Sequence, residues 1–432
     1  MNLAHDDWIR PYGLVINGVL ERGLEMAIVD GVIQEIRASS HPCESFVLSP
    51  AFVNAHSHLE YRGMLNQIEH PEYYEWIYEL ARLKTLESPE YVREQCNIAA
   101  IENRNAGVAW IGEHSDRPGS AEAMVKHGLG GWIFQEVITS GSEDIAATLS
   151  RIERRLEETR ATLSFAAEQF SSLSGSLAKR NTSLDREVGE LANQRNEVPK
   201  SRLNEVNIFA SLNPHAYFTV DHESLQYLGS LDTPSSIHVA ETKHESNFTK
   251  YGKGPIAERR TARGVPFEVY NQSVAEVLDN LGVLRPGMQC VHCCDVDEAD
   301  IAIMASRGVT IAHCPRSNVR LQSPEAPVRE FLDAGITVGL GLDSPASGGT
   351  IDMFAEMRAA LIVSERRGQP LTGEDVWRMA TSEGFKSFGQ PSEAGWDIYE
   401  GSATPVIRID INSADSVEQL IELGNTSKVS RI

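Results

Sequence analysis

The stretch Ala51-Phe52-Val53-Asn54-Ala55-His56-Ser57-His58-Leu59-Glu60 decides how the rest of the chain is understood. Its first half is a short apolar run of the kind a fully buried strand presents. It ends in two histidines at i and i+2. A period-two strand places both on one face, so both imidazoles can point at one ion near the strand's end. Alone an H-x-H is weak evidence, because a polar group finishing a strand is commonplace. Its weight depends on what recurs downstream.

Outward from this run, short apolar stretches at 51–55, 108–112, 131–137, 206–212, 235–239, 288–292, 309–312 and 336–342 alternate with helical patterns. Strands separated by helices are the order of a parallel α/β protein, and eight of them predict a (β/α)8 TIM-like barrel over 51–389. In such a barrel the catalytic groups stand at the C-terminal ends of the strands. Three more ends repeat the theme. The fifth carries His238 with Glu241 three residues on, the sixth carries His292, and the eighth carries Asp343.

Those residue types define a chemistry. Three neutral imidazoles and one carboxylate, His56, His58, His238 and Asp343, hold one divalent ion and leave a position open. Zn2+ is the first expectation and Fe2+ the alternative, because both accept such ligands. Water at an open position becomes acidic near neutral pH. Glu241 is close enough in sequence to His238 to hold a proton for a substrate ring nitrogen, and Asp343 can take one from the water. His292 can orient the water or stabilise a developing oxyanion. Trp76, in Tyr73-Tyr74-Glu75-Trp76-Ile77, offers a face for a base to stack on, although such a cluster equally suits a core. Pro315, Ser317 and Asn318 read as loop-shaping residues.

At both ends the pattern is short strands. Residues 26–29 and 32–36 flank Asp30-Gly31, a two-residue hairpin signal, and 404–411 and 428–432 are strand-like again. Neither end buries a core alone, so 1–50 and 390–432 are expected to pair as one small β-sandwich domain. The segment 142–199 is polar and helical, with Leu149, Leu156, Leu163, Phe170, Leu177, Leu184 and Leu191 recurring every seven residues. Thr159, Arg180 and Glu187 spoil a strict seam. Two helices packed on the barrel, turning near Gly175 or Asn181, are expected; a protruding hairpin joining subunits is the alternative.

Composition narrows the partners. The 432 residues are 41% hydrophobic and 23% charged, as in folded globular chains. The 61 acidic against 39 basic residues give a formal charge of -22, which repels nucleic acid and anionic membranes. With no long apolar run and no basic-then-apolar N-terminus, a cytoplasmic protein is expected. The six cysteines lack a disulfide framework, and Cys290-Val291-His292-Cys293 has no second pair to complete a zinc site. Buried, packing thiols are expected.

Taken together, PAFVNAHSHLE at 50–60, HVAET at 238–242, VHC at 291–293, HCPRSN at 313–318 and GLDSPAS at 341–347 resemble the amidohydrolase superfamily. The likeness covers nearly the whole chain. It is to the cytosine-deaminase-like branch, with guanine, S-adenosylhomocysteine and aminodeoxyfutalosine deaminases and triazine hydrolases. The resemblance implies one metal on His56, His58, His238 and Asp343, Glu241 as proton shuttle and His292 as water or substrate partner. Asn213-Pro214-His215 ends the fourth strand where a two-metal relative would place lysine. His215 matches a nucleoside-contacting position, and Glu60 in HSHLE belongs to the motif nearest the aminodeoxyfutalosine group. A small-molecule deaminase acting on an adenine-type nucleoside, working as a homo-oligomer, is therefore expected. The alternatives are a C–N or C–Cl hydrolase of triazine-like rings and, in another class, an inactive assembly protein.

Overall fold

The computed structural model describes residues 8–142, 144–178, 207–389 and 395–432, with backbone alone from 167 to 178. At the N-terminal end Asp30 and Gly31 both take left-handed backbone, φ 51° and 80°, as a two-residue hairpin requires. They join β4 (Leu24–Val29) to β5 (Val32–Ala38), with Val29 opposite Val32, and β1 (Trp8–Ile9) pairs with β4 on its other side.

A second sheet draws on both ends of the chain. It contains β2 (Gly13–Ile16), β3 (Val19–Glu21), β6 (Val47–Pro50), β15 (Val406–Ile409) and β16 (Val429–Arg431), in the order β16-β15-β6-β2-β3. Leu14, Leu48 and Val406 from this sheet share a core with Met26 and Ile33 from the first. Ile407 and Ile409, and the C-terminal helix Val417–Leu423 through Val417, Leu420 and Ile421, instead join the main core.

The remaining eight strands are parallel. One sheet runs β7 (Phe52–Ser57), β8 (Val108–Ser115), β9 (Gly130–Val137) and β10 (Ile208–Pro214). The other runs β11 (Ser235–Val239), β12 (Met288–His292), β13 (Thr310–His313) and β14 (Val338–Leu340). The sheets meet at both edges. Ser57 bridges Asp343 and Ala216 bridges His238. Beside each bridge an asparagine clips the seam: Asn54 Oδ1 accepts from Leu342 N at 2.9 Å, and Asn213 Oδ1 from Ser236 N at 2.8 Å.

Strand β8 runs three residues beyond the expected end at Gly112. That glycine stays inside the strand, paired with Trp132 of β9, and the position has no room for a side chain: a Cβ there would stand 2.6 Å from Ala55 O and 2.5 Å from Phe388. The extension carries Glu113 and His114 to the same end as His56.

Among the helices, α1 (Tyr73–Lys84), α2 (Pro89–Asn105) and α3 (Ser120–His127) precede the long α4 (Ile145–Ala178). Ile152 and Leu156 of α4 are buried in the main core with Leu149 packed against it, and Leu163 lies on a second cluster with Ile111 and Ile133. The start of the leucine stripe thus faces the strands. The turn expected at Gly175 does not occur, and the helix continues to Ala178. An interior glycine costs a helix only about 1 kcal/mol, too little to end it. Asn181, Leu184 and Leu191 lie outside the described residues. No described helix is long and apolar enough to cross a membrane.

Candidate metal centre and active site

The C-terminal strand ends bring the histidines together because parallel register aligns them. His238 pairs with Val291, one residue from His292, and the Ser57–Asp343 bridge sets Asp343 beside His56 and His58. Asp343 Oδ1 lies 3.6 Å from His56 Nε2 and 3.8 Å from His58 Nε2. Two further donor triads have all their atoms within 4.8 Å: His56 with His238 and His292, and His58 with His238 and Glu136. Ala240, His292, Cys293 and Asp343 all have positive φ, from 45° to 69°. For residues with a Cβ this is strained backbone, of the kind that concentrates at functional sites.

The electrostatics suit a cation. Burial pushes the His56 ring well below its ordinary value and lowers His58, His238 and His292, so these imidazoles are neutral and able to act as ligands. Burial opposes the charge on Asp343, but contact with His56 outweighs it and holds the acid well below its usual range. Neither His56 nitrogen has a hydrogen-bond partner, nor has His58 Nδ1. A buried ring normally finds partners. Neutral imidazoles with unpartnered nitrogens around an ionised carboxylate are a donor set that fits a divalent ion.

Surrounding groups fix the ring orientations. His238 Nδ1 donates to His215 O at 2.7 Å, which leaves Nε2 for the cluster. His292 Nδ1 donates to Asn318 Oδ1 at 2.7 Å, and its Nε2 lies 3.7 Å from Glu241 Oε1. Ser317 and Ser347 hydroxyls donate to Asp343 Oδ2 at 2.5 and 2.9 Å, and Ser344 N donates to Oδ1. Burial, reinforced by the charges of Asp343 and Glu245, pushes Glu241 well above the ordinary carboxylate range, against a hydrogen bond with Tyr73.

Ser317 and Asn318 therefore do more than shape a loop. They sit on the short helix Pro315–Arg320 and hold Asp343 and His292. His114, Glu136 and Tyr73 also belong to the cluster, although the sequence did not single them out; the His114 ring is 4.3 Å from that of His56. The signal for His114 was an alternation continuing past Gly112.

The three residues suggested as substrate contacts are dispersed. The His215 ring lies 4.9 Å from that of His238, with Nδ1 on Thr219. Trp76 is buried in the main core. Glu60 accepts from Arg117 N at 2.9 Å and Ser115 Oγ at 3.3 Å, beside a buried pair in which Lys84 Nζ meets Asp116 at 2.5 Å. All six cysteines are free; five are buried, including Cys290 and Cys293.

Parallel strands thus converge on a histidine cluster with one ionised aspartate, at the strand ends where barrel enzymes carry their catalytic groups. The chain belongs to the amidohydrolase family, whose sequence profile matches residues 47–396. It is 26% identical over 355 residues to a 5-methylthioadenosine/S-adenosylhomocysteine deaminase of Natronomonas pharaonis, a match covering 80% of this chain and 69% of the relative. Among solved structures, an adenosine deaminase of Xanthomonas campestris with bound zinc superposes with a TM-score of 0.74 at 21% identity, over 98% of this chain and 90% of the other. The Helicobacter pylori aminofutalosine deaminase does so with a TM-score of 0.74 at 15% identity, over 99% of each chain. These superpositions establish the shared fold.

Proposed function

We propose that this enzyme is a hydrolytic deaminase that releases ammonia from the amino group of an adenine-type nucleoside, with His56, His58, His238 and Asp343 holding one divalent ion. The observation that carries it is the buried His56 ring, both nitrogens unpartnered, with the neutral rings of His58 and His238 and ionised Asp343 around it and Glu241 in the same cluster, its carboxyl pushed above the ordinary range. The ion, Zn2+ in the first instance and Fe2+ as the alternative, supplies Lewis acidity that makes water a nucleophile at neutral pH.

The chain's own residues then account for the protons. Glu241, whose carboxyl burial pushes well above the ordinary carboxylate range, gives a proton to a ring nitrogen of the base as the new C–O bond forms. Asp343, ionised and held by Ser317 and Ser347, takes a proton from the attacking water. His292, fixed by Asn318, stands beside Glu241 to orient the water or the developing oxyanion. Asp343 passes the proton it took to the amino group, the hydroxyl proton returns to Glu241 as the carbonyl forms, and the C–N bond breaks to release ammonia. Of the suggested substrate contacts, His215 adjoins His238 through its ring, and Trp76 Nε1 and Glu60 Oε1 are buried without a hydrogen-bond partner, so all three stay in the proposal.

We propose further that 51–389 closes as an eight-stranded barrel, supported by the bridges at both sheet edges. Residues 1–50 and 390–432 then form the small sandwich, supported by the core shared between its two sheets; residues 1–7 and 390–394 of that span lie outside the described residues. Free thiols and acidic charge support a cytoplasmic location and a small-molecule partner.

The deciding experiment is ammonia release by metal-loaded protein from 5'-deoxyadenosine, 5-methylthioadenosine, S-adenosylhomocysteine, adenosine and aminodeoxyfutalosine, beside guanine, cytosine and a chlorotriazine. Turnover on at least one adenine nucleoside is expected. Activity confined to guanine, to cytosine or to the triazine, the last read as chloride release, or none on any compound, overturns the proposal.

A further inference from the structure

One carboxylate in the cluster has no role in the chemistry above. Glu136 is the penultimate residue of β9, opposite Asn213 of β10, and is 2% exposed. Period two puts it on the same strand face as Phe134, whose ring is 5.2 Å from that of His114. Its Oε1 has no hydrogen-bond partner. The nearest candidate, His114 Nδ1, is 3.5 Å away and is also 3.4 Å from Asn213 Nδ2. Both distances are long for such a bond.

A buried carboxylate oxygen without a partner is costly. Something should satisfy it, and the donors around it say what. A Glu136 oxygen and one ring nitrogen each from His58 and His238 lie within 4.8 Å of one another, a spacing shared by the two triads that contain Asp343 or His292. Two of its three members are ligands already proposed. The oxygen therefore borders the same space as the ion, on the side where His58 and His238 meet. Asp343 reaches that space from the side of His56 and His58.

We propose that Glu136 is a further ligand, so that the centre is built from three imidazoles and two carboxylates. This assignment rests on the metal site proposed above. A second carboxylate oxygen raises the coordination number and makes the site more hospitable to ions that favour oxygen, such as Mn2+ and Fe2+, relative to a purely four-ligand site.

The test loads Co2+ as a spectroscopic probe and titrates Zn2+ and Mn2+ by calorimetry. Glu136→Gln keeps the size of the side chain and loses the charge. Its Co2+ visible bands should shift and intensify as the coordination number falls. Mn2+ affinity should drop at least about tenfold, and more than Zn2+ affinity. If Glu136 acted only through its neighbour His114, then adding Glu136→Gln to His114→Ala would change the Co2+ bands no further; a ligand role predicts the same further shift in that background. Should Glu136→Gln not fold, Glu136→Asp, with the carboxylate withdrawn by one methylene, is judged by the same bands. A wild-type Co2+ spectrum in the Glu136 variant, or no further change when Glu136→Gln is added to His114→Ala, overturns the inference. His238→Ala separates this from the wider proposal. If that variant binds Co2+ with wild-type bands, the metal centre itself is wrong; if it loses Co2+ while Glu136→Gln matches wild type, only the role of Glu136 falls.

Discussion

Asn54 Oδ1 accepts a hydrogen bond from the backbone N–H of Leu342 at 2.9 Å, joining residues 288 positions apart and closing the seam between the first and last parallel strands. Both groups are buried. Asn54→Ala leaves that N–H unsatisfied, which costs about 1–3 kcal/mol. Urea unfolding of metal-free protein should show this loss, and a change within experimental error would mean that the seam holds without its clip.

Glu241 and His238 separate chemistry from metal binding. Glu241→Gln should keep metal and fold while activity falls by about 10²–10⁴-fold, as for a lost general acid or base. His238→Ala should lose metal as well as activity. Metal content and turnover measured on the same samples decide it: a Glu241→Gln protein that stays active, or comes out metal-free, refutes the division of roles.

The hydroxyls on Asp343 are the next test. Ser317→Ala removes one of the two that hold its Oδ2. Loss of a group orienting a ligand typically weakens metal binding by about 10–100-fold. Asn318→Ala, which frees His292 Nδ1, should lower kcat while one equivalent of metal remains. Competition with a chromogenic chelator reports the first effect and steady-state kinetics the second.

Removing the metal should lower stability. A ligand present at about 100 to 1,000 times its Kd stabilises the folded chain by roughly 2.7–4.1 kcal/mol. Dialysis against a chelator should reduce Tm and added Zn2+ should restore it. A Tm indifferent to both would argue against a resident ion.

Burial pushes Glu356 up to about 8, although Arg316 opposes the shift. The folded chain thus keeps a proton that the unfolded chain releases near 4.5. Stability from this group is greatest below the unfolded value and is lost as pH rises toward the folded one, by at most about 1.4 kcal/mol per unit. Glu356→Gln removes the dependence, so stability should fall by about 1–3 kcal/mol less between about pH 5.5 and about pH 7.5 than in wild type. Equal slopes in the two proteins would sink this account.

What the sequence determined was local. The apolar run ending in His56 and His58, the Asp30-Gly31 turn and the succession of apolar runs each follow from the few residues involved, and they foretold the parallel strands and the pairing of strands from both chain ends. What the tertiary structure decided was which groups meet across strands far apart in the chain. Gly112 looked like a strand end, yet it pairs with Trp132 inside β8, and the strand delivers His114 to the cluster. Ser317 and Asn318 looked like turn residues, yet a helical turn aims them at Asp343 and His292. Gly175 looked like a turn in α4, yet the helix runs through it. Glu136 carried no motif at all; only the register of β9 against β10 and the return of β11 beside them set its carboxylate next to His58 and His238. Backbone alternation and turn geometry depend on neighbours in sequence, whereas the partner of a buried charge depends on strand register, which long-range packing sets.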